Sequence, residues 1–267
     1  MADPKRVILI PARHASTRYP GKPLVGLAGA TGLRRSLVER SWRAARAVAG
    51  VDAVWVATDD ERIAGAARDF GADVVMTDEA CANGTERCAD ALARLGIAPE
   101  VVVNLQGDAP LTPPWFVEAL IAAMDGTVQV ATPVLRCSPE IHARFLDDRR
   151  NGLVGGTTAV MDAEGDALYF SKEVVPYTGK TYAEGAQVPV FHHVGVYAYT
   201  PVALAAYGAA GACDLENLEG LEQLRFLWNR IPVRCVEVEA RGREFWELNN
   251  PADVERIEAV LRAEGIE

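Results

Sequence analysis

Cysteine is scarce and badly spaced for either of its usual structural tasks. Cys81, Cys88, Cys137, Cys213 and Cys235 are odd in number and include no Cys-x-x-Cys pair, which argues against a disulfide framework and a zinc site. Positive charge is in deficit as well, with 27 Lys and Arg against 37 Asp and Glu and a net charge of −10. Nucleic acid requires a basic face, so no nucleic-acid partner is expected. No apolar run approaches the roughly 20 residues that span a bilayer, so no membrane partner is expected either. The opening Met1–Arg6 has no apolar signal region, and a cytoplasmic enzyme is the expectation. The dinucleotide fingerprint Gly-x-Gly-x-x-Gly is missing from the first strand–loop segment.

What stands out against this acidic background is a basic loop. Residues 11–24 read PARHASTRYPGKPL and follow the apolar run Val7–Ile10. Arg13, Arg18 and Lys22 lack local partners, because Asp3 is the only acidic side chain among the first 38 residues. A polyphosphate would satisfy such a loop. Gly21-Lys22 approaches a Walker A ending, but Pro23 stands where Ser or Thr would hold magnesium, and the upstream glycine is absent.

The 267 residues suit one large domain or two small ones, and 49% hydrophobic content allows a substantial core. Strands are predicted at Val7–Ile10, Ala53–Ala57, Val74–Met76, Val101–Leu105 and Val128–Val134. Helical spacing separates them: Leu33 to Val48, Ile63 to Phe70, Ala91 to Leu95 and Phe116 to Met124. That alternation predicts an α/β fold with a mainly parallel sheet, and ligands in such sheets sit beyond the carboxyl ends of strands. Further on, 147–156 reads as a polar, glycine-rich loop. Thr157–Met161, Ala167–Phe170, a two-faced Val194–Tyr199 and Val233–Val238 read as strands. Leu218–Trp228 reads as one helix, and Asn250-Pro251 as the start of another.

Three further segments carry chemistry. Gln106-Gly107-Asp108 ends the strand Val101–Leu105, where a carboxylate either holds Mg²⁺ against a triphosphate or bonds its own turn. Asn83-Gly84-Thr85-Glu86-Arg87 opens a helix whose free N–H groups suit a phosphate or base edge; Glu86 and Arg87 also read as a plain surface pair. Asn249-Asn250-Pro251 presents two amides and reads as a helix cap.

The loop 11–24, the Gly84–Arg87 segment and Gln106-Gly107-Asp108 together resemble the sugar nucleotidyltransferases, and among them most nearly the 3-deoxy-manno-octulosonate cytidylyltransferases. The resemblance covers nearly the whole chain. It implies a nucleotide-diphospho-sugar transferase type of Rossmann-like domain over 1–267, with a nucleotide lobe at 1–135 and 230–267 and a smaller inserted α+β lobe at 136–229. It implies CMP transfer from CTP to a small acidic acceptor, with Mg²⁺ as cofactor and a homodimer as the assembly. CTP would meet Ala12, Arg13, Ser16, Lys22, Gly84, Thr85, Arg87 and Gln106. Arg13, Lys22 and Asp108 would be catalytic, and Asp108 and Asn249 would hold the metal. Lys172, His193, Tyr197, Glu222 and Gln223 would bind the acceptor, although His193 also reads as a core histidine. The chain departs from the family pattern at Asn249 (usually Asp), Lys172 (usually Arg), Thr158 (usually Lys) and Ala109 (usually Glu). The last three point to an acceptor smaller than the family's sugar acid, such as a phosphonate, and that reading stands beside the sugar acid. An inactive nucleotide-binding regulator of the same fold is the reading from another class.

Overall fold

The computed structural model describes residues 3–15, 19–243, 248 and 250–267. Two compact units emerge: Met1–Glu118 with Ala240–Glu267, and Ala119–Glu239. The lobes read from the sequence were drawn at 135 and 230 instead. Pairing accounts for the difference. Arg234–Glu237 runs parallel to Val130–Arg136, and Val130–Arg136 pairs antiparallel with 191–193 and 198–199, so both strands group with the second unit.

In the first unit the strands Asp73–Met76, Ala53–Thr58, Arg6–Ala12 and Val101–Leu105 lie side by side in that order, all parallel. Val7–Ile10 and Val102–Val103 are fully buried, as expected for strands covered on both faces. The helices Leu37–Arg46, Glu61–Asp69 and Gly84–Leu95 make the crossovers. Ala12, Val38, Val56, Ile63 and Ala67 form one apolar cluster between sheet and helices. The chain winds from the first strand to one side and returns on its other side at Val101–Leu105. The first strand is therefore a topological switch point, where the loops beyond the carboxyl ends diverge and leave a crevice.

Each helix begins where a short polar side chain takes a free N–H. Ser36 accepts from Glu39 N, Asp60 from Arg62 N and Asn83 from Glu86 N. The Ser36 cap corrects the expected helix at Leu33: residues 34–36 instead form a hairpin with Gly26–Ala28, and Leu33 is half exposed. Asn250-Pro251 also lies before the last helix, which runs Asp253–Ala263; Asn250 N–H donates to the Asp253 carboxylate.

The second unit is mostly antiparallel. Phe191–His193 pairs with Thr158–Ala159, and Thr158–Met161 pairs with Ala167–Ser171. Three expectations are corrected here. Asp147–Arg150 ends a helix, Pro139–Arg150, which Ser138 caps and whose buried residues are only His142 and Phe145. That stripe is too thin to show as periodicity. Val196–Tyr199 is buried on both faces, not two-faced. The single helix over Leu218–Trp228 is two, Asp214–Glu219 and Leu224–Trp228, because Gly220 takes a left-handed φ of 62° and ends the first. A further helix, Pro201–Ala209, was not read from its nearly uniform apolar sequence. Among the described residues no helix is long and apolar enough to cross a membrane.

Candidate active site

Leu9 and Asn104 face each other in neighbouring parallel strands, so Arg13 and Asp108 each lie four residues past the same level of the sheet. Gly107 makes this close approach possible. A Cβ at that position would stand 2.7 Å from the Pro11 carbonyl oxygen, a contact no side chain tolerates. The Ser41 hydroxyl donates to the Gly107 carbonyl at 3.1 Å, and Leu248 N–H donates to the Asp108 carbonyl at 3.0 Å. These two bonds to main-chain carbonyls hold the turn from which the Asp108 carboxylate projects. Neither Ser41 nor Leu248 carried a sequence signal for this task, since each acts from a distant part of the chain.

Lys22 opens the short helical turn Lys22–Leu24. Gly21 precedes it at φ 71°, and Gly21 N–H donates to the His14 carbonyl at 3.0 Å, closing the basic loop on itself. The Lys22 ammonium reaches Asp108 Oδ2 at 2.6 Å, with side chains 15% and 27% exposed. Arg13 donates to the Ala82 carbonyl at 3.1 Å, is exposed, and has no carboxylate partner among the described residues. Ala12 is buried beside it.

The turn before the helix Gly84–Leu95 meets both strand ends. Ala82 takes Arg13, and a Cβ on Gly84 would lie 2.8 Å from Gln106 Nε2, so Gly84 packs bare against the Gln106 amide. Glu86 accepts Ala82 N–H at 2.7 Å. Thr85 is fully buried. Arg87 turns inward, which corrects both expectations for it. It is 2% exposed, donates to Thr77 Oγ1 and pairs with Asp59 at 3.4 Å, so it braces the helix against the ends of two strands. Its guanidinium is spent on Thr77 and Asp59 and, being buried, forms no surface pair with Glu86. Ser16 and Asn249 lie outside the described residues.

In the second unit Tyr197, Gln223 and His193 are all buried. Tyr197 O–H donates to Gln223 Oε1 at 3.1 Å, and Gln223 Nε2 has no partner among the described residues. His193 Nε2 lies 2.9 Å from the Thr132 hydroxyl. That hydroxyl spends its proton on the Val196 carbonyl at 2.8 Å, so His193 is the donor in the pair. Burial pushes the His193 imidazole down to about 3, and it stays neutral. This is the core histidine of the alternative reading, holding the irregular stretch between two strands. Glu222 and Lys172 are half-buried.

The departures at Thr158 and Ala109 are structural. Thr158 donates to the Glu173 carbonyl at 2.7 Å and accepts from Val175 N at 3.1 Å, while buried. Ala109 is fully buried in the turn after Asp108. Neither carries a charge, and the Thr158 hydroxyl is spent on the main chain. For a metal, no group of three or more His, Cys, Asp or Glu among the described residues is placed to hold an ion. A single part-exposed carboxylate, Asp108, fits a hard cation that arrives with phosphate oxygens and water, and does not fit an all-protein cage.

Comparison with known proteins adds a separate line of support. Residues 7–234 match the family model described as cytidylyltransferase. The 3-deoxy-manno-octulosonate cytidylyltransferase of Maricaulis maris (strain MCS10) is 46% identical over 259 residues, covering 96% of this chain and 97% of its own. Its counterpart in Myxococcus xanthus (strain DK1622) is 39% identical, covering 99% of this chain and 100% of its own. The solved structure of CMP:2-keto-3-deoxy-manno-octonic acid synthetase complexed with CTP is 34% identical with a TM-score of 0.82, covering 97% of this chain and 99% of that one.

Proposed function

Because the chain belongs to the cytidylyltransferase family, we propose that it moves CMP from CTP to 3-deoxy-manno-octulosonate with release of pyrophosphate. The acceptor oxygen forms a bond to the α-phosphorus as the bond to the pyrophosphate oxygen breaks. Such a transfer depends on positioning and charge neutralisation more than on covalent help. The observation that carries this reading is the Lys22–Asp108 pair at 2.6 Å, set beyond a switch-point strand beside Arg13, which has no carboxylate partner among the described residues.

A polyphosphate exchanges that pair's partners. The Lys22 ammonium would turn to phosphate oxygens, which would leave the Asp108 carboxylate open to a cation, and Arg13 would add a bidentate donor. Mg²⁺ would be held by Asp108, with Asn249 as second ligand, and supplies neutralisation of the triphosphate charge. Gly84 and Gln106, already in contact, offer a glycine-bare helix start and an amide for the nucleotide. Arg87 supports them from behind. In the second unit Lys172, Glu222, Gln223 and Tyr197 form the acceptor set. The sugar acid is favoured over a phosphonate by its use in the relatives, which are 3-deoxy-manno-octulosonate cytidylyltransferases. A cytoplasmic homodimer completes the proposal, and light scattering that gives a monomer mass removes the dimer from it.

The test mixes the protein with CTP, Mg²⁺ and either 3-deoxy-manno-octulosonate or phosphonoformate and measures pyrophosphate. Release with the sugar acid and not the phosphonate is expected, and chelation by EDTA abolishes it. Release with the phosphonate alone replaces the acceptor. CTP binding without release on either acid overturns the enzyme reading.

A further inference from the structure

Lys172 follows the strand Ala167–Ser171, which lies at the end of its sheet. Its ammonium has no carboxylate within ion-pair reach among the described residues. The neighbouring cation is not in the same position: Arg149 is spent on Glu173 through two nitrogens and on the Leu153 carbonyl. The Lys172 ammonium instead lies against bare main chain. A Cβ on Gly220 would stand 2.8 Å from Lys172 Nζ, and Gly220 is the left-handed residue that closes the helix Asp214–Glu219. Carbonyl groups at a helix C-terminus favour a cation there.

The residue before that glycine gathers the strand end that carries Lys172. Glu219 Oε1 accepts the Ser171 hydroxyl at 2.7 Å and the Tyr169 hydroxyl at 3.3 Å, and Oε2 accepts Lys172 N–H at 3.0 Å. Three donors from four consecutive residues therefore converge on one carboxylate. An ammonium is a point charge on a flexible stem and cannot grip a carboxylate bidentately, so its selectivity depends on where its backbone is held.

We propose that Glu219 is a positioning residue for acceptor recognition: it fixes the strand end Tyr169–Lys172 so that the Lys172 ammonium, seated on Gly220, receives the carboxylate of the acid acceptor. This rests on the cytidylyl-transfer reading above. Gly220 is part of the device, since any side chain there would push the ammonium from its seat.

Steady-state kinetics on the wild type, Lys172→Ala, Glu219→Ala and the double variant test it. Glu219→Ala raises KM for the acid roughly tenfold or more, the scale of a lost charge-assisted bond, and leaves KM for CTP unchanged. The double variant matches Lys172→Ala alone, because Glu219 acts through Lys172. Gly220→Asn gives the same KM pattern with an unchanged melting temperature, as Asn accepts a left-handed backbone. It also serves as the test where Glu219→Ala does not fold. An unchanged acceptor KM in a wild-type background that turns over the acid, equal rises in both KM values, or additive effects in the double variant overturn the proposal. A wild type that releases no pyrophosphate overturns the parent reading, and this inference with it.

Discussion

Lys22 and Asp108 balance one another's charge at 2.6 Å while both remain partly open to solvent. Their magnitude in stability and in rate differ widely, and that difference identifies the role. A part-exposed pair is worth up to about 1 kcal/mol of folding free energy. One electrostatic contact to a transition state is worth about 10²–10³ in rate. Lys22→Ala and Asp108→Ala are therefore expected to lose pyrophosphate release by that factor with melting curves near wild type; retained turnover would remove either residue from the mechanism. Gly107 carries the opposite signature. In Gly107→Ala the new methyl meets the Pro11 carbonyl, and backbone on both sides prevents relief. The expected loss is about 1–3 kcal/mol of stability together with activity, read by denaturant titration.

Among the elements, the helix Gly84–Leu95 does the most for the site. Asn83 caps it, Glu86 returns to Ala82 N–H, and Arg87 ties it to Thr77 and Asp59. Its start therefore stays ordered where Gly84 touches Gln106. Asn83→Ala removes one cap bond, which costs about 1 kcal/mol. The expected result is a melting temperature lower by about 2–4 °C and a raised KM for CTP, since the loosened turn is the one that faces the strand ends. An unchanged KM would make the cap purely structural. The turn at Gly220 is the matching device of the second unit, where a helix end rather than a helix start meets a charged side chain.

At the scale of the whole molecule, acid sensitivity follows from two imidazoles that the fold withdraws from water, His193 buried and His192 half-buried. His193 is held neutral by burial, its pKa lowered from 6.5 to about 3, and His192 is lowered to about 4 by burial and then by the Arg144 charge. An unfolded chain binds protons at both below pH 6.5, and the folded chain does not. Stability is therefore complete above pH 6.5 and falls progressively as pH drops from 6.5 toward 3. The melting temperature should decline over that window, and His193→Asn should flatten the decline; an equal slope in the variant would exclude His193 as its source.

The alternation of apolar strands with amphipathic helices determined the parallel sheet, and its order along the chain placed the basic loop beyond the carboxyl end of a strand, because both patterns are local and repeat with the period of their element. Asp108 was legible as a carboxylate three residues past a recognisable strand, and Lys22 as part of the basic loop that follows another, ten residues past its end. Helix ends set by single residues, such as Ser36 and Gly220, were less legible, since a cap outweighs the periodicity around it. Only the tertiary structure decided that Arg87 turns inward to Asp59, that His193 serves Thr132, and that Glu219 collects the strand end before Lys172. Those partners lie 28, 61 and 47 positions apart in the chain. Strand register and helix packing bring them together, and no spacing rule along the chain encodes a contact made that way.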